Sequence, residues 1–381
     1  MYYYVEKQSP RYRQMDLDEF WWGESASTLI TENQTNTVVR CAEQIPQRIA
    51  WSCGSSRRLY AALGEFNAAN VLLLDTDLHT QYSTFRIPKA HGGFRRIDAP
   101  KPMLKSAQYA LKALLEGVFH AHELYHTSAI GYVKGRRAAD AGRRHQQNES
   151  WWFCNTDFKD FFPSTTLDFV MAQFSKIFPF CLLENFPDGF DRLRRALSLV
   201  FLDGKLPQGT PVSPLITNVM MVPIDFELCN TLRNYKGKSF VYTRYADDIQ
   251  ISCKYDFEQR DIEELIVQVL RKHNAPFTLN ADKTKYHSKS GSNWILGVVL
   301  NKDNRITVGY KNLRMFKSIL YNFHRDSAAG LPWDPGDIQH ALGLWSYYRS
   351  VDRETIDATV AAYQEKYGEN IIEAMRAALS V

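Results

Sequence analysis

The stretch Tyr245-Ala246-Asp247-Asp248 constrains this chain more than any other. Short apolar runs flank it, Phe240 to Tyr242 before and Ile249 to Ser252 after, and Val241, Ile249, Ile251 and Cys253 follow the alternation expected of strands. The segment therefore reads as a β-hairpin with two adjacent carboxylates at its turn. Neighbouring strand residues point to opposite faces, so a tight turn is needed to bring both acids near one point. Two carboxylates held there repel each other unless a hard cation neutralises them. Mg²⁺ suits the task, because it prefers oxygen ligands and keeps positions open for substrate phosphates. An isolated Asp-Asp pair is better explained as a polar hairpin turn. The rest of the chain argues against that here.

A third carboxylate stands in Asn155-Thr156-Asp157-Phe158-Lys159-Asp160-Phe161-Phe162. The preceding Trp151 to Cys154 is aromatic and strand-prone, which places Asp157 at a strand end. Asp160 stays open to the plainer reading of a solvated strand-end acid. Three acids from two neighbouring strands are what a two-metal phosphoryl-transfer site requires, one ion at the attacking hydroxyl and one at the departing pyrophosphate.

On these residues the chain resembles reverse transcriptases, especially the bacterial retron, group II intron and defence-associated branches. The resemblance runs through ordered blocks from about Phe85 to Gly297. Phe85-Arg86-Ile87-Pro88-Lys89 and Gly92-Gly93-Phe94-Arg95-Arg96-Ile97-Asp98-Ala99-Pro100 resemble the fingers element that grips an incoming triphosphate. Gly131-Tyr132-Val133-Lys134-Gly135-Arg136 resembles a basic fingers loop. Asp157 to Pro163 is similar to the first catalytic motif. Leu206-Pro207-Gln208-Gly209-Thr210-Pro211 through Ser213-Pro214 is similar to the segment under nucleotide and template, and Tyr245 to Asp248 to the signature tetrapeptide. Leu279-Asn280-Ala281-Asp282-Lys283-Thr284-Lys285 and Trp294-Ile295-Leu296-Gly297 resemble the last two palm motifs.

The resemblance implies an α+β fold, a right-hand polymerase with fingers, an antiparallel-sheet palm and a C-terminal helical thumb. Residues 1–80 match nothing in the family and read, by their patterning, as a mostly helical N-terminal extension, while the resemblance assigns fingers and palm to 81–300 and a thumb to 301–381. It implies an RNA-directed DNA polymerase in which Asp157, Asp247 and Asp248 hold two Mg²⁺ ions, with Mn²⁺ as the alternative. Lys89 and Arg95, or Arg96 in its place, would hold a deoxynucleoside triphosphate, arginine as a two-pronged donor and lysine as a point charge. Phe162 would exclude a ribose 2′-hydroxyl by steric clash. The competing explanation is that Phe161 and Phe162 are both core. Gln208 and Tyr245 would shape the pocket, and Gly209 would let the backbone approach a base or sugar. Lys283, or Lys285, would give a proton to departing pyrophosphate.

Composition agrees with a partner that carries phosphates. The net charge of +4 over 381 residues is modest, but Arg86 to His145 holds twelve basic residues against four acidic ones, a local +8. Within it Arg136, Arg137, Arg143 and Arg144 are candidates for gripping a template backbone. Met103 to Ala121 reads as an amphipathic helix with Leu104, Ala107, Leu111, Leu114, Leu115 and Val118 on one face. Asp16 to Trp22, Thr37 to Trp51 and Arg57 to Phe66 have partly helical patterning. A helix from about Leu215 to Arg233 follows the Gln208 loop. Asn301-Lys302-Asp303-Asn304 reads as a hairpin turn, and Asn312 to Phe323, Asp337 to Arg349 and Glu354 to Tyr367 as three thumb helices. Lys311, Arg314 and Lys317 on the first would clasp a duplex.

Six cysteines show no paired short spacing, so neither a zinc ribbon nor a disulfide framework is indicated. Met1 to Gln14 lacks the apolar core of a signal peptide and no run is long enough to span a bilayer, which sets the expectation of a reduced cytoplasmic location. His122-Glu123-Leu124-Tyr125-His126 satisfies the H-E-x-x-H pattern of zinc peptidases, with His145 or Glu149 as third ligand, but that short pattern arises easily by chance. A non-catalytic RNA-binding copy is the other alternative, and the complete set of three aspartates opposes it.

Subtype rests on finer marks. The chain ends at Val381 without room for the maturase region that a group II intron protein is expected to carry. Asp140-Ala141-Gly142-Arg143-Arg144-His145 and Ile295-Leu296-Gly297 depart from the elements that retron enzymes favour there. The expectation is therefore a defence-associated enzyme acting with a noncoding RNA as template or scaffold in resistance to phage. A retron enzyme making RNA-linked single-stranded DNA is the close alternative. A second copy of the chain or an accessory defence protein would be further partners.

Overall fold

The computed structural model of the chain describes residues 3–5, 13–15, 56–89, 92–122, 125–233, 235–290 and 294–379. The helical expectations for Asp16 to Trp22 and Thr37 to Trp51, the side chain of His122 and all of Glu123 lie outside the described residues. Two units divide the chain, one of Trp21–Arg136 and Trp152–Tyr286, the other of Met1–Phe20, Arg137–Trp151 and His287–Val381.

In the first unit a hairpin pairs β1 (Tyr82–Pro88) with β2 (Phe94–Pro100), antiparallel from Tyr82↔Pro100 to Pro88↔Phe94. Most of β1 is exposed, so the ribbon stands out from the body, anchored where the Tyr82 hydroxyl donates to the Val200 carbonyl. At its tip the Lys89 N–H donates to Gly93 O, with Gly92 and Gly93 at φ +89 and +78. Only glycine adopts that backbone without strain.

The main sheet runs β4-β5-β3-β6, built from β3 (Trp152–Lys159), β4 (Phe240–Tyr245), β5 (Asp248–Cys253) and β6 (Thr278–Leu279), with β7 (Lys285–Ser288) also on β3. The registered pairs β4–β5, β5–β3 and β3–β6 are antiparallel, as expected of a palm. Alternation assigns the faces: Cys154 and Phe158 of β3, Ile249, Ile251 and Cys253 of β5, and Phe240 and Tyr242 of β4 join one core cluster. Val241 differs from expectation. It pairs with Ser252 and so lies on the opposite face from Ile249 and Ile251.

Helices back the apolar face. Pro102–His122 buries all six residues of its expected stripe, each worth about 1–3 kcal/mol of transfer free energy according to size. The helix expected over Leu215 to Arg233 is two, Ser213–Met220 and Val222–Arg233, with Pro223 at the break where a third-turn N–H would otherwise be needed. Ser56–Ala69 packs beside Gly189–Ser198, the Tyr60 hydroxyl donating to Asp188 at 2.6 Å under the Arg192 guanidinium.

The second unit holds a three-stranded sheet of β8 (Trp294–Ile295), β9 (Val298–Leu300) and β10 (Ile306–Thr307), packed on the helix Ala138–Gln147. The Leu296-Gly297 turn has φ +51 and +88, the two-residue type that hairpins favour. Helices Tyr310–Ala328, Pro335–Val351 and Arg353–Tyr367 contain the three expected, the first reaching five residues further at its C-terminal end, and a fourth, Ile371–Leu379, closes their core through Ile371, Ile372 and Met375. Among the described residues no helix is long and apolar enough to cross a membrane, and Cys154, Cys181, Cys229 and Cys253 are free.

Fully buried His145, on Ala138–Gln147, is pushed down to about 3 by burial and by the Arg144 charge. The unfolded chain binds a proton near pH 6.5 that the folded one refuses until about pH 3. Stability is therefore complete above 6.5 and falls between 6.5 and 3, by at most about 4–5 kcal/mol. In melting curves from pH 8 to 4, His145→Gln should flatten the acid slope. An unchanged slope would place the acid sensitivity elsewhere.

Candidate active site

Hairpin β4–β5 closes through a two-residue turn, Ala246-Asp247, because Tyr245 pairs with Asp248. Ala246 stands at φ +54, a conformation that alanine rarely adopts. Two backbone contacts hold it: Arg244 Nη1 donates to the Ala246 carbonyl at 3.0 Å, and the Phe158 N–H donates to the Asp247 carbonyl at 3.2 Å. On the next strand Asp157 sits directly opposite Asp248. The structure thus brings the three expected carboxylates to one place, where like charges across strands oppose each other.

Electrostatics register that crowding. Burial and the charges of Asp247 and Asp157 push the Asp248 carboxyl up to about 7. Burial first, then Asp157, raises Asp247 as well, against its own backbone and the cations Lys283 and Arg95. Asp157 is 3% exposed and its Oδ1 has no hydrogen-bond partner among the described residues. Lys283 donates to the other oxygen, Oδ2. Burial lowers the Lys283 ammonium, but the Asp157 hydrogen bond and the three carboxylates outweigh it, so it is held above the ordinary lysine value. As placed, no three His, Cys, Asp or Glu side chains among the described residues close into a cage. The donor set nevertheless fits hard divalent ions: oxygen only, net negative, with an unsatisfied buried oxygen.

A cleft of about 660 Å³ opens over these residues. Asp157 and Asp247 line its floor with Lys283, and Lys89, Phe94, Arg95 and Arg96 of the β1–β2 ribbon line its wall. Arg96 is committed to Asp98 at 2.9 Å, whereas Arg95 is drawn towards Asp247, burial lowering its guanidinium and Asp247 raising it. Gln208 lines the cleft too. Gly209, at φ +128, meets a packing demand within the protein: a Cβ there would stand 2.7 Å from the Asp98 carbonyl oxygen, beside the bond from Asp98 N–H to Gln208 O. It lets β2 lie against the Gln208 loop.

Phe162 is not among the residues lining the cleft; its ring is half-buried against the core, edge-on to Phe161 at 5.7 Å. Tyr245 meets the Tyr132 ring at 5.7 Å. Of the expected template grips, Arg136 donates to the carbonyls of His126 and Ala129 in its own loop, and Arg137 and Arg143 both face Asp140. Arg144 is half-buried on the same helix. Lys311, Arg314 and Lys317 are exposed on Tyr310–Ala328, where Tyr310, Arg314, Lys317 and Tyr321 form one stripe at helical spacing. His126 is buried, its Nδ1 accepting from the Ser128 N–H.

Two cations went unread in the sequence. Lys159 and Lys205 line the cleft and make no ion pair among the described residues. Lys205 follows a two-residue turn, Asp203-Gly204 at φ +54 and +70, and Asp-Gly is a strong hairpin signal. A buried ion pair, Arg244 with Asp225, was also missed; its signal is a charged residue on an otherwise apolar strand face.

Several known proteins are similar to this chain. Residues 87–300 match the family described as reverse transcriptase (RNA-dependent DNA polymerase). The retron Ec83 reverse transcriptase of Escherichia coli is 25% identical over 80% of this chain and 93% of its own length. The retron Mx162 reverse transcriptase of Myxococcus xanthus is 30% identical over 60% of this chain and 48% of its own. Among solved structures, apo telomerase from Candida Tropicalis is 12% identical with a TM-score of 0.48, over 78% of this chain and 58% of that one. With its family pattern covering more than half of its length, and with Asp157 and Asp248 on neighbouring strands and Asp247 at the β4–β5 turn, the chain belongs to the reverse transcriptase family and is an RNA-directed DNA polymerase.

Proposed function

We propose that this cleft joins deoxynucleotides to a primer end on a noncoding RNA that is the protein's dedicated partner. The observation that carries the chemistry is Asp157 opposite Asp248, with Asp247 at the turn, beneath a ribbon bearing Lys89 and Arg95. The aspartates would hold two divalent ions, Mg²⁺ first and Mn²⁺ as the alternative. When bound, the ions supply activation of the primer hydroxyl and charge neutralisation at the departing pyrophosphate. Lys283 gives up Asp157 Oδ2 and turns its ammonium to the pyrophosphate as a proton donor. Lys89 and Arg95 grip the triphosphate, and Gln208 and Tyr245 shape the nucleotide pocket.

Phe162 acts as sugar gate only when its ring turns from the core into the cleft. Phe162→Ala should then raise ribonucleotide incorporation relative to deoxyribonucleotide by about tenfold or more. Unchanged sugar selectivity in single-nucleotide extension would remove it from that role.

The stripe of Tyr310, Arg314, Lys317 and Tyr321, with Lys311 beside it, supports nucleic-acid binding, cations for phosphates and rings for bases. Arg137, Arg143 and Arg144 are weaker candidates because Asp140 holds two of them. We propose that the division into N-terminal extension (1–80), fingers and palm (81–300) and thumb (301–381) describes how the parts are used. The names of the relatives support a retron-type product, RNA-linked single-stranded DNA. The departures at Asp140 to His145 and at Ile295-Leu296-Gly297 support a separate defence-associated branch acting against phage.

The test is to purify the chain from its native host and sequence the RNA and DNA that come with it, beside an Asp247→Ala/Asp248→Ala variant. One enriched RNA with complementary DNA only in the wild type is expected. DNA covalently joined to that RNA selects the retron product. No enriched RNA would contradict the dedicated partner.

A further inference from the structure

The hairpin that carries Asp247 and Asp248 is fixed from behind the sheet. Arg244 lies on the β4 face that meets Ile249, is fully buried, and spends its donors on three different elements. Nε and Nη2 bind the two carboxylate oxygens of Asp225 at 2.9 and 2.7 Å, on the helix Val222–Arg233. Nη1 reaches the Asn218 side-chain oxygen at 3.2 Å, on Ser213–Met220, and the Ala246 carbonyl at 3.0 Å. Charge neutralisation needs only Asp225. The Nη1 arm does something more, since it ties the strained turn residue to Asn218 on the helix Ser213–Met220.

Other contacts converge on the same point. The Tyr242 hydroxyl donates to Asp225 at 2.7 Å, and the Asn218 amide donates to the Gly131 carbonyl at 2.7 Å. A Cβ on Gly131 would stand 2.8 Å from the Tyr245 ring and 3.1 Å from the Ala246 nitrogen, so this loop lies directly against the turn. The Arg244 backbone is held as well, its N–H donating to Ser128 O and its carbonyl accepting from Ile130 N–H, both at 2.8 Å.

We propose that Arg244 is a positioning residue: through the Ala246 carbonyl, its guanidinium sets where Asp247 and Asp248 stand relative to Asp157. This rests on the reading that those three carboxylates hold the divalent ions. A fork with five N–H groups is required, because a lysine ammonium at the same depth cannot serve Asp225, Asn218 and Ala246 together. Displacement of a reacting group by about 1 Å costs ~10²-fold in rate.

The rival account is a core ion pair that matters only for stability. Two variants separate the two. Arg244→Lys keeps the charge against Asp225 but loses the fork, and the triple Asp225→Leu/Tyr242→Phe/Arg244→Met replaces the pair with apolar side chains, an exchange that cores often tolerate. Each is assayed well below its cooperative melt, by primer extension and by Mn²⁺ binding in electron paramagnetic resonance. Positioning predicts kcat lower by about 10²-fold, nucleotide KM within about threefold, and Mn²⁺ affinity weaker by several-fold in both. Wild-type kcat and Mn²⁺ affinity in either folded variant would overturn the proposal, and Arg244→Lys decides alone if the triple does not melt cooperatively. Asp247→Ala/Asp248→Ala runs alongside. Its loss of incorporation leaves the reading of the three aspartates standing however Arg244 behaves; retained incorporation would sink that reading and this inference with it.

Discussion

Asp248→Asn is expected to abolish DNA synthesis and, in metal-free buffer, to make the protein more stable. Losing one carboxylate from a two-ion site removes several kcal/mol of transition-state stabilisation, so incorporation should fall by about 10³-fold or more. The stability gain has a separate cause. Asp248 is pushed up to about 7 by burial and by Asp247 and Asp157. For an acid whose folded pKa lies above its unfolded one, the folded state binds the extra proton between about pH 4 and 7, so stability falls as pH rises through that window. At pH 8 the ionised group opposes folding, and asparagine removes the charge while keeping the shape. Discounted for solvent reaching the half-buried cleft, the gain is about 1–2 kcal/mol, a few degrees in melting temperature. Thermal melts with chelator at pH 8 read it. A variant that melts lower than the wild type would mean that the carboxylates are not in mutual repulsion.

Asp225→Ala should give the largest single loss of stability in the palm. It leaves the Arg244 guanidinium at zero exposure without its counter-charge and removes the acceptor of the Tyr242 hydroxyl. Breaking one side of a buried pair costs about 3–5 kcal/mol, far more than an exposed pair such as Arg305 with Glu354 contributes. Denaturant unfolding measures it. A loss below about 1 kcal/mol would show that water reaches Arg244 when Asp225 is gone.

The acidic centre was legible because each aspartate sits in a short motif whose neighbours alternate in the strand period, and the helix Pro102–His122 because its apolar residues recur at helical spacing. What was not legible depends on distant chain segments meeting. Gly209 is set by β2 passing the Gln208 loop, which no local pattern announces. Val241 reads as core by residue type, yet register puts it opposite Ser252. Phe162 stands at the expected spacing from Asp157, but spacing cannot say which way a ring turns in a helix as short as Phe161–Ser164. The fourth C-terminal helix escaped because it is short, and its apolar stripe of Ile371, Ile372 and Met375 follows the polar stretch Gly368-Glu369-Asn370. Arg244 alternates with Phe240 and Tyr242 on the apolar face of its strand, but its partners Asp225, Asn218 and Ala246 come together only in the fold.

The central claim, templated DNA synthesis by three aspartates, is tested most directly with a defined RNA template, an annealed DNA primer, deoxynucleotides and Mg²⁺. The wild type and Asp247→Ala/Asp248→Ala are compared at equal folded concentration. The wild type should extend the primer to the template end with complementary sequence, and the variant should add nothing. Extension by the variant, or product whose sequence does not follow the RNA, would contradict the account.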